Sequence, residues 1–328
     1  MSKNLNPTTR KTITKIVCID SLFRPNLDSS EPANFTFHLK EPINNVVSMK
    51  LSTMELPNNW YLFSKRNFTN TFTVRCYNIP DGSNNIIPML ENIIQIPDGN
   101  YLSDSFQIAL MNYFENTKRG LEYIGVNVND KNAKVEFFTG ISDKAYPYSP
   151  YMNLDTPPEQ KFYFSLDFNI PEKPLQPLYR TIGWAMGFRK STYTVNYMEN
   201  PSTRIIEAKH FYPTYIESES SFGSTYIHYV FLEVDDFQRN FSSNTIVSYN
   251  GNGDSYLSNN ILSKIVVSSG QYTNIIDNGS DYVFKKRNYY GPIKLEKMHI
   301  KLLNRFGEVI DLNDNNFSFT LELEVIYS

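Results

Sequence analysis

The chain has 328 residues, of which 15% are aromatic and 20% are charged, and its formal net charge is −3. This length suits one enlarged β domain or two ordinary ones. The near-neutral charge excludes the global basic field of proteins that coat nucleic acid, so direct nucleic-acid binding is not expected. No segment approaches the roughly 20 apolar residues of a transmembrane helix, and no secretory signal is expected at the N-terminus.

Taken in chain order, the first elements are a basic arm and three strands. Residues 1–11 are polar and basic without any acidic residue, which predicts a flexible N-terminal arm able to contact a neighbour. Thr12–Asp20 is rich in β-branched residues and predicts a strand. The same holds for Asn34–Leu39, where the aromatic residues alternate, and for Val46–Leu56, where Val47, Met49, Leu51 and Thr53 are expected on one side.

The middle of the chain combines strands with one helix. A strand is predicted at Thr71–Tyr77 and an amphipathic helix at Ser103–Thr117, where Phe106, Leu110 and Phe114 form an apolar face. Three more strands follow, at Tyr123–Val128, Lys134–Phe138 and Phe162–Phe168. The Pro- and Tyr-rich segment Tyr146–Pro158 predicts an ordered loop.

The remaining chain begins with an unusual run at Leu178–Phe188, which predicts a short helix or turn docked on a sheet. Gly183 and Gly187 would allow close backbone approach there, and Trp184 would act as an anchor. Thr225–Phe237 is almost continuously apolar, as in a central strand covered on both faces.

A polar loop at Asn240–Asn260 follows, and then strong strands at Ile261–Ser268, Ile293–Leu303 and Phe317–Tyr327. The first and last strands could therefore pair. The fold class predicted is mainly β, an antiparallel β-sandwich of jelly-roll type with one or two short helices and one or two β modules. The domain assignment is an arm at 1–11, a β-sandwich at 12–190 with its helix near 103–117, and a second β region or continuation at 191–328.

No local pattern indicates a catalytic, cofactor or metal site. His38, His210, His228 and His299 lack metal-ligand spacing, and a hydrogen-bonded structural role is expected for each. Cys18 and Cys76 lie in apolar runs and are expected to be buried, reduced thiols. No nucleophile-elbow or phosphate-loop motif occurs, so no catalytic residue and no cofactor are assigned.

Three weaker patterns each have a structural explanation that is favoured. Asn250–Asp254 resembles the start of a calcium loop, but Ile261 stands where a bidentate glutamate is needed, so a turn is expected. Asp235 and Asp236 are adjacent in a strand and point to opposite faces, which indicates a strand end rather than an acid–base pair. Lys285–Arg287, with Tyr289 and Tyr290 beside it, is expected to be a solvated loop or subunit contact rather than a nucleic-acid site.

Several short segments follow one another in a recognisable order: Ile19–Arg24, Phe35–Leu39, Ile43–Ser48, Glu55–Asn58, Pro97–Tyr101, Ile182–Arg189, Gly307–Asp311 and Phe317–Leu323. In this order they resemble the minor capsid proteins of nucleocytoplasmic large DNA viruses, including their penton-like and jelly-roll virion proteins. The resemblance implies a structural virion protein that is not an enzyme and is assembled in the host cytoplasm. It would stabilise or cap the major capsid lattice, with the major capsid protein and other virion proteins as partners, in a homo- or hetero-oligomer.

Two alternatives to the capsid function stay open. A carbohydrate- or receptor-binding β-sandwich would need exposed aromatic side chains on a groove, with Tyr289, Tyr290 and Trp60 as candidates. A glycoside-active enzyme would use carboxylates that are distant in sequence and that no local pattern reveals. For the capsid function, the contacting elements are expected to be the N-terminal arm, the Tyr146–Pro158 loop and the Asn240–Asn260 loop.

Overall fold

The computed structural model describes residues 11–80, 85–139, 162–194, 215–223, 228–241, 257–278 and 285–327. This part of the chain contains fourteen strands and two α-helices. The strands are β1 (Thr12–Asp20), β2 (Asn34–Pro57), β3 (Thr71–Pro80), β4 (Ile86–Gln95), β5 (Ile124–Val128), β6 (Lys134–Thr139), β7 (Tyr163–Asp167), β8 (Thr192–Thr194), β9 (Tyr215–Ser221), β10 (Tyr229–Asp235), β11 (Ile261–Val266), β12 (Asn274–Asp277), β13 (Lys286–Leu303) and β14 (Ser318–Ile326). The helices are α1 (Ser103–Thr117) and α2 (Ile182–Ala185).

The chain divides into two compact units, and one of them is discontinuous in sequence. The first unit is formed by Met1–Trp60 together with Ile227–Ser328, and the second by Tyr61–Tyr226. This differs from the expected division into 12–190 and 191–328, whose boundary falls inside the second unit. The reason is long-range pairing, because β1 and β2 find their partners in the C-terminal third of the chain.

The first unit is built on one antiparallel sheet of seven strands in the order β1-β14-β2-β13-β10-β11, with β12 also paired to β2. The first and last strands pair as predicted, from Thr12 opposite Ile326 to Asp20 opposite Ser318. The central element is the 24-residue β2, which pairs with β14 along one side and with β13 and β12 along the other. A single apolar core contains residues from all seven strands.

Strand β2 changes its buried face along its length. Met49 and Leu51 are buried, but burial then moves to Met54 and Leu56, while Thr53 is exposed. The pairing of β14 with β2 shifts at two points, and each extra residue in a bulge turns the following side chains to the opposite face. The prediction that Thr53 shares a side with Met49 and Leu51 is therefore wrong.

The other predicted strands of this unit are confirmed. In β14 every second residue is buried, from Phe319 to Val325. β10 is an internal strand whose five central residues are buried, as its continuous apolar sequence predicts. Val230, Leu232 and Val234 face the main core, whereas Phe231 joins a small cluster with Leu257, Ile261 and Leu303.

The second unit contains two antiparallel sheets around a separate core. Their strand orders are β4-β3-β7-β8 and β5-β6-β9. Phe72 of β3 meets Phe137 of β6 edge-on, with ring centroids 6.2 Å apart, and Phe114 of α1 lies 6.5 Å from the same Phe137 ring. Helix α1 has the predicted bounds, and Phe106, Leu110 and Phe114 are its buried residues.

The run around α2 docks in this core, as the sequence predicts. A side chain at Gly183 would begin 2.4 Å from the Phe168 ring, so glycine is required for close packing. Gly187 has φ +94°, and an added Cβ would lie 2.0 Å from the Ser220 carbonyl oxygen. The predicted mainly β, antiparallel fold with short helices is thus confirmed, and each of the two units has its own core.

Candidate interaction surface

The Asp20–Arg24 segment forms a rigid turn at the end of β1. Asp20 Oδ1 accepts a hydrogen bond from the Leu22 amide at 2.8 Å, which caps a single turn of 3₁₀ helix at Ser21–Phe23. Ser21 is fully buried. Its amide donates to the Phe317 carbonyl at 2.9 Å, and its hydroxyl accepts from the Phe317 amide at 2.9 Å.

Arg24 holds the other side of this turn. Its Nη1 donates to the Ser21 carbonyl and to Asn316 Oδ1, both at 2.8 Å. Its Nε donates to the Ser30 carbonyl at 3.0 Å. A guanidinium with several carbonyl partners is fixed in position, so Arg24 connects the start of the β1–β2 connection to its end.

The polar residues of this turn form hydrogen bonds that hold apolar side chains in contact with solvent. Leu22, Phe23 and Leu27 are 48%, 78% and 48% exposed, and we call these three side chains the apolar turn. Scattered exposed apolar residues are ordinary, but here three lie on one short connection that the hydrogen bonds of Asp20, Ser21 and Arg24 hold in place. Such an arrangement is typical of a preformed protein contact.

A polar groove of about 390 Å³ adjoins the apolar turn through Leu22. Its lining is Asp20, Leu22, Glu55, Pro57, Asn59, Asn274, Asn315, Asn316, Phe317 and Ser318. The lining includes two carboxylates and four amides and contains no lysine or arginine. In the part of the chain that the structure describes, no group of three or more His, Cys, Asp or Glu residues could hold a metal ion.

Within the Lys285–Arg287 cluster, Lys285 and Arg287 are buried in ion pairs while Lys286 lies at the surface, so the expected solvated loop or subunit contact is wrong for the two buried residues. Arg287 is 2% exposed, and its Nη1 lies 2.8 Å from Asp236 Oδ2. Its Nη2 donates to the Asn260 carbonyl at 2.8 Å. Lys285 is also buried, with Nζ 2.6 Å from Asp277 Oδ1. Buried charges need such partners because desolvation is costly.

Asp236, directly after β10, is the centre of this network. It accepts hydrogen bonds from Arg287, from the Tyr289 hydroxyl and from the Gln238 amide. Burial and the Asp236 charge raise the pKa of Tyr289. Asp235 Oδ1 instead lies 3.5 Å from Arg239 Nη1, so the two aspartates bind different partners, as expected for a strand end.

The aromatic residues proposed for a glycan groove do not form one. Trp60 and Tyr289 are both buried at 8% exposure, whereas Tyr290 is 80% exposed. Tyr289 packs edge-on against Phe241 in the core. A stacking surface for a sugar needs exposed ring faces, and of the three candidates only Tyr290 has one.

The histidines and cysteines contribute no cluster in the described residues. His299 pairs with Thr36 Oγ1 at 2.9 Å, a structural role, and burial followed by the nearby Lys301 charge lowers its pKa. Cys76 is buried, which raises its pKa to about 12. Cys18 is exposed, contrary to expectation, because the buried side chains of β1 are Val17 and Ile19.

Several predicted elements lie mostly or wholly outside the described residues. These are the N-terminal arm up to residue 10, the Tyr146–Pro158 loop, residues 242–256 of the Asn240–Asn260 loop with the calcium-like Asn250–Asp254 segment, and His210. No described helix has both the length and the apolar character required to cross a bilayer.

Comparison with known proteins finds similarity only among solved structures. No protein-family model and no curated protein matches the chain. The mavirus penton protein aligns with 97% of this chain over 100% of its own length, at 10% identity and a TM-score of 0.45. A chain in the structure of the Sputnik virophage aligns with 96% of this chain over 98% of its own length, at 14% identity and a TM-score of 0.39.

Proposed function

We propose that this chain is a structural virion protein, a minor capsid component that stabilises or caps the major capsid lattice of a large DNA virus. The observation that carries the proposal is the apolar turn, because its polar neighbours are engaged in holding Leu22 and Phe23 towards solvent. Leu22 and Phe23 lie in Ile19–Arg24, which is also the first of the segments that resemble minor capsid proteins.

The chemistry of this surface suits a protein partner. Leu22 and Phe23 would insert into an apolar pocket, while the adjoining groove would receive polar or basic side chains opposite Asp20 and Glu55. Fully burying an apolar side chain of this size stabilises by about 1.5–3 kcal/mol. Since both are already partly buried, burying the remainder would contribute about 2–4 kcal/mol in total, or roughly 30- to 700-fold in affinity.

The partners in this proposal are the major capsid protein and other virion proteins, with which the chain would form a homo- or hetero-oligomer. Particle assembly would take place in the host cytoplasm, and the chain would have no enzymatic role. Two β units with separate cores suit such a role, because one unit can contact the lattice while the other supports a further contact.

The experiment compares particle incorporation of matched variants. Leu22→Ser and Phe23→Ser are combined in one chain, and Tyr290→Ser, which removes another highly exposed apolar side chain of the same unit, is the control. Both chains are first shown to have the thermal stability of the wild type. Virus that expresses each variant is then purified, and the chain is quantified relative to the major capsid protein.

We expect the double variant to be reduced at least tenfold in particles while Tyr290→Ser is incorporated normally. Wild-type incorporation of a stably folded double variant would contradict the assignment of the apolar turn as the docking surface. Absence of the wild-type chain itself from particles would contradict the virion function as a whole.

A further inference from the structure

β1 is the edge strand of the large sheet in the first unit. In the described part of the chain it pairs only with β14. The nine register pairs run from Thr12 to Asp20 without a shift. The outer side of β1 is therefore a straight edge of nine residues.

The hydrogen bonds at its two ends show which residues face outward. The Tyr327 amide donates to the Lys11 carbonyl at 3.0 Å, and the Ser21 amide donates to the Phe317 carbonyl at 2.9 Å. Odd-numbered residues thus bond to β14. Because hydrogen-bonding directions alternate along an antiparallel strand, the amide and carbonyl groups of Thr12, Thr14, Ile16 and Cys18 point away from β14, where the described structure places no other strand.

Other edge strands of the described structure carry features that prevent strand addition. β4 contains Pro88, β8 and β12 have only three and four residues, β9 bears Glu217 and Glu219, and the pairing of β11 has a register shift. Helix α1 packs against β5. Natural sheets use such devices to avoid association at their edges. β1 has no proline and no bulge, Lys15 is its only charged residue before the terminal Asp20, and it exposes Ile13 and Ile16.

We propose that β1 is a self-association site, at which β1 of a second copy pairs antiparallel about a two-fold axis through Ile16. In the register that uses all nine residues, Thr12 faces Asp20, Thr14 faces Cys18 and Ile16 faces its own counterpart. Even-numbered residues then meet even-numbered residues, so each outward amide has an outward carbonyl as its acceptor. This proposal does not depend on the proposed function.

The side chains are compatible with this symmetric pairing. On the face that contains Val17 and Ile19, the same register places Lys15 opposite Val17 and Ile13 opposite Ile19. Lysine therefore faces an apolar residue and no like charges are directly opposed. On the other face the two Ile16 side chains, each 57% exposed, cover one another. A self-complementary strand is what an isologous interface requires.

Engineered cysteines test both the pairing and its register. Thr14→Cys places a new thiol opposite Cys18 of the second copy, and directly opposed residues in a hydrogen-bonded pair have Cα atoms about 5.5 Å apart, within disulfide range. In the wild type the two Cys18 residues are offset by four positions, or roughly 13 Å, and cannot bond. Thr12→Cys, which faces Asp20, is the matched control.

We expect mild oxidation to give at least ten times more covalent dimer with Thr14→Cys than with Thr12→Cys or the wild type. Ile16→Lys, at a largely exposed position, opposes two charges at the axis and should weaken dimerisation at least tenfold in light scattering across a concentration series. The proposal is overturned if Thr14→Cys and Thr12→Cys cross-link equally, or if folded Ile16→Lys self-associates like the wild type. A strictly monomeric wild type at millimolar concentration would also overturn it.

Discussion

Replacing Asp236 by asparagine removes the negative charge that faces the buried Arg287 guanidinium. The carboxylate accepts from Arg287, from Tyr289 and from the Gln238 amide, and its side chain has no exposed surface. The asparagine amide group would present hydrogens to two donors in place of an acceptor. Breaking a buried pair in this way leaves an uncompensated charge and costs about 3–5 kcal/mol.

The two tryptophans allow this loss to be measured separately in each unit. Trp60 lies in the core of the first unit, and Trp184 is in the second. In a Trp184→Phe background, the fluorescence of Trp60 during a urea titration measures the unfolding of the first unit. With a urea dependence of about 2 kcal/mol per molar, Asp236→Asn should lower the Trp60 midpoint by about 2 M.

A matched surface pair provides the control. Lys286 and Glu324 lie 3.2 Å apart, but their side chains are 34% and 44% exposed. Lys286→Met should therefore cost no more than about 1 kcal/mol. Adding Arg287→Met to Asp236→Asn should recover part of the loss, because both buried charges are then absent. A midpoint change for Asp236→Asn no larger than that for Lys286→Met would refute the reasoning.

Three further predictions concern single residues. The pKa of His299 is lowered in the folded chain, so the unfolded chain binds a proton at this residue more readily. The contribution of His299 to stability is therefore complete above pH 6.5 and declines as the pH falls below it. His299→Gln should flatten the pH dependence of the unfolding free energy between pH 5 and 7, and an unchanged slope would contradict this. Iodoacetamide at pH 8 should modify the exposed Cys18 in the native chain, whereas the buried Cys76 should react only after denaturation. If mass spectrometry finds adducts on both cysteines of the native chain, Cys76 is accessible and the prediction is wrong. Gly187→Ala should destabilise the second unit by at least about 2 kcal/mol, because φ is positive and a backbone carbonyl occupies the Cβ position; Gly291→Ala, with open space around it, is the control, and equal melting temperatures for the two variants would refute the packing argument.

Local periodicity predicted the elements whose burial alternates without interruption. The bounds of α1 and the buried face of β14 are both evident in the sequence, because one face of each packs on a core throughout its length. In β2 the same reasoning fails beyond Leu51, since a bulge depends on how the partner strand pairs. That information lies more than 250 residues away in β14.

The burial and pairing of charged residues could not be predicted from local sequence. Lys285 and Arg287 form a basic cluster in sequence, and nothing local indicates that Asp277 and Asp236 neutralise them in the core. The division into two units also depends on strand pairing between the two ends of the chain, which local sequence does not indicate. By contrast, two of the three side chains of the apolar turn, Leu22 and Phe23, lie in the Ile19–Arg24 segment that the sequence analysis singles out.

The most direct test of the central claim is the protein composition of intact particles. Virions are purified on a density gradient, treated with protease to remove adhering protein, and analysed by quantitative mass spectrometry. Our account predicts that this chain is retained at a fixed ratio to the major capsid protein. Its absence from such particles, while it is abundant in the infected cells, would contradict the proposal that it is a capsid component.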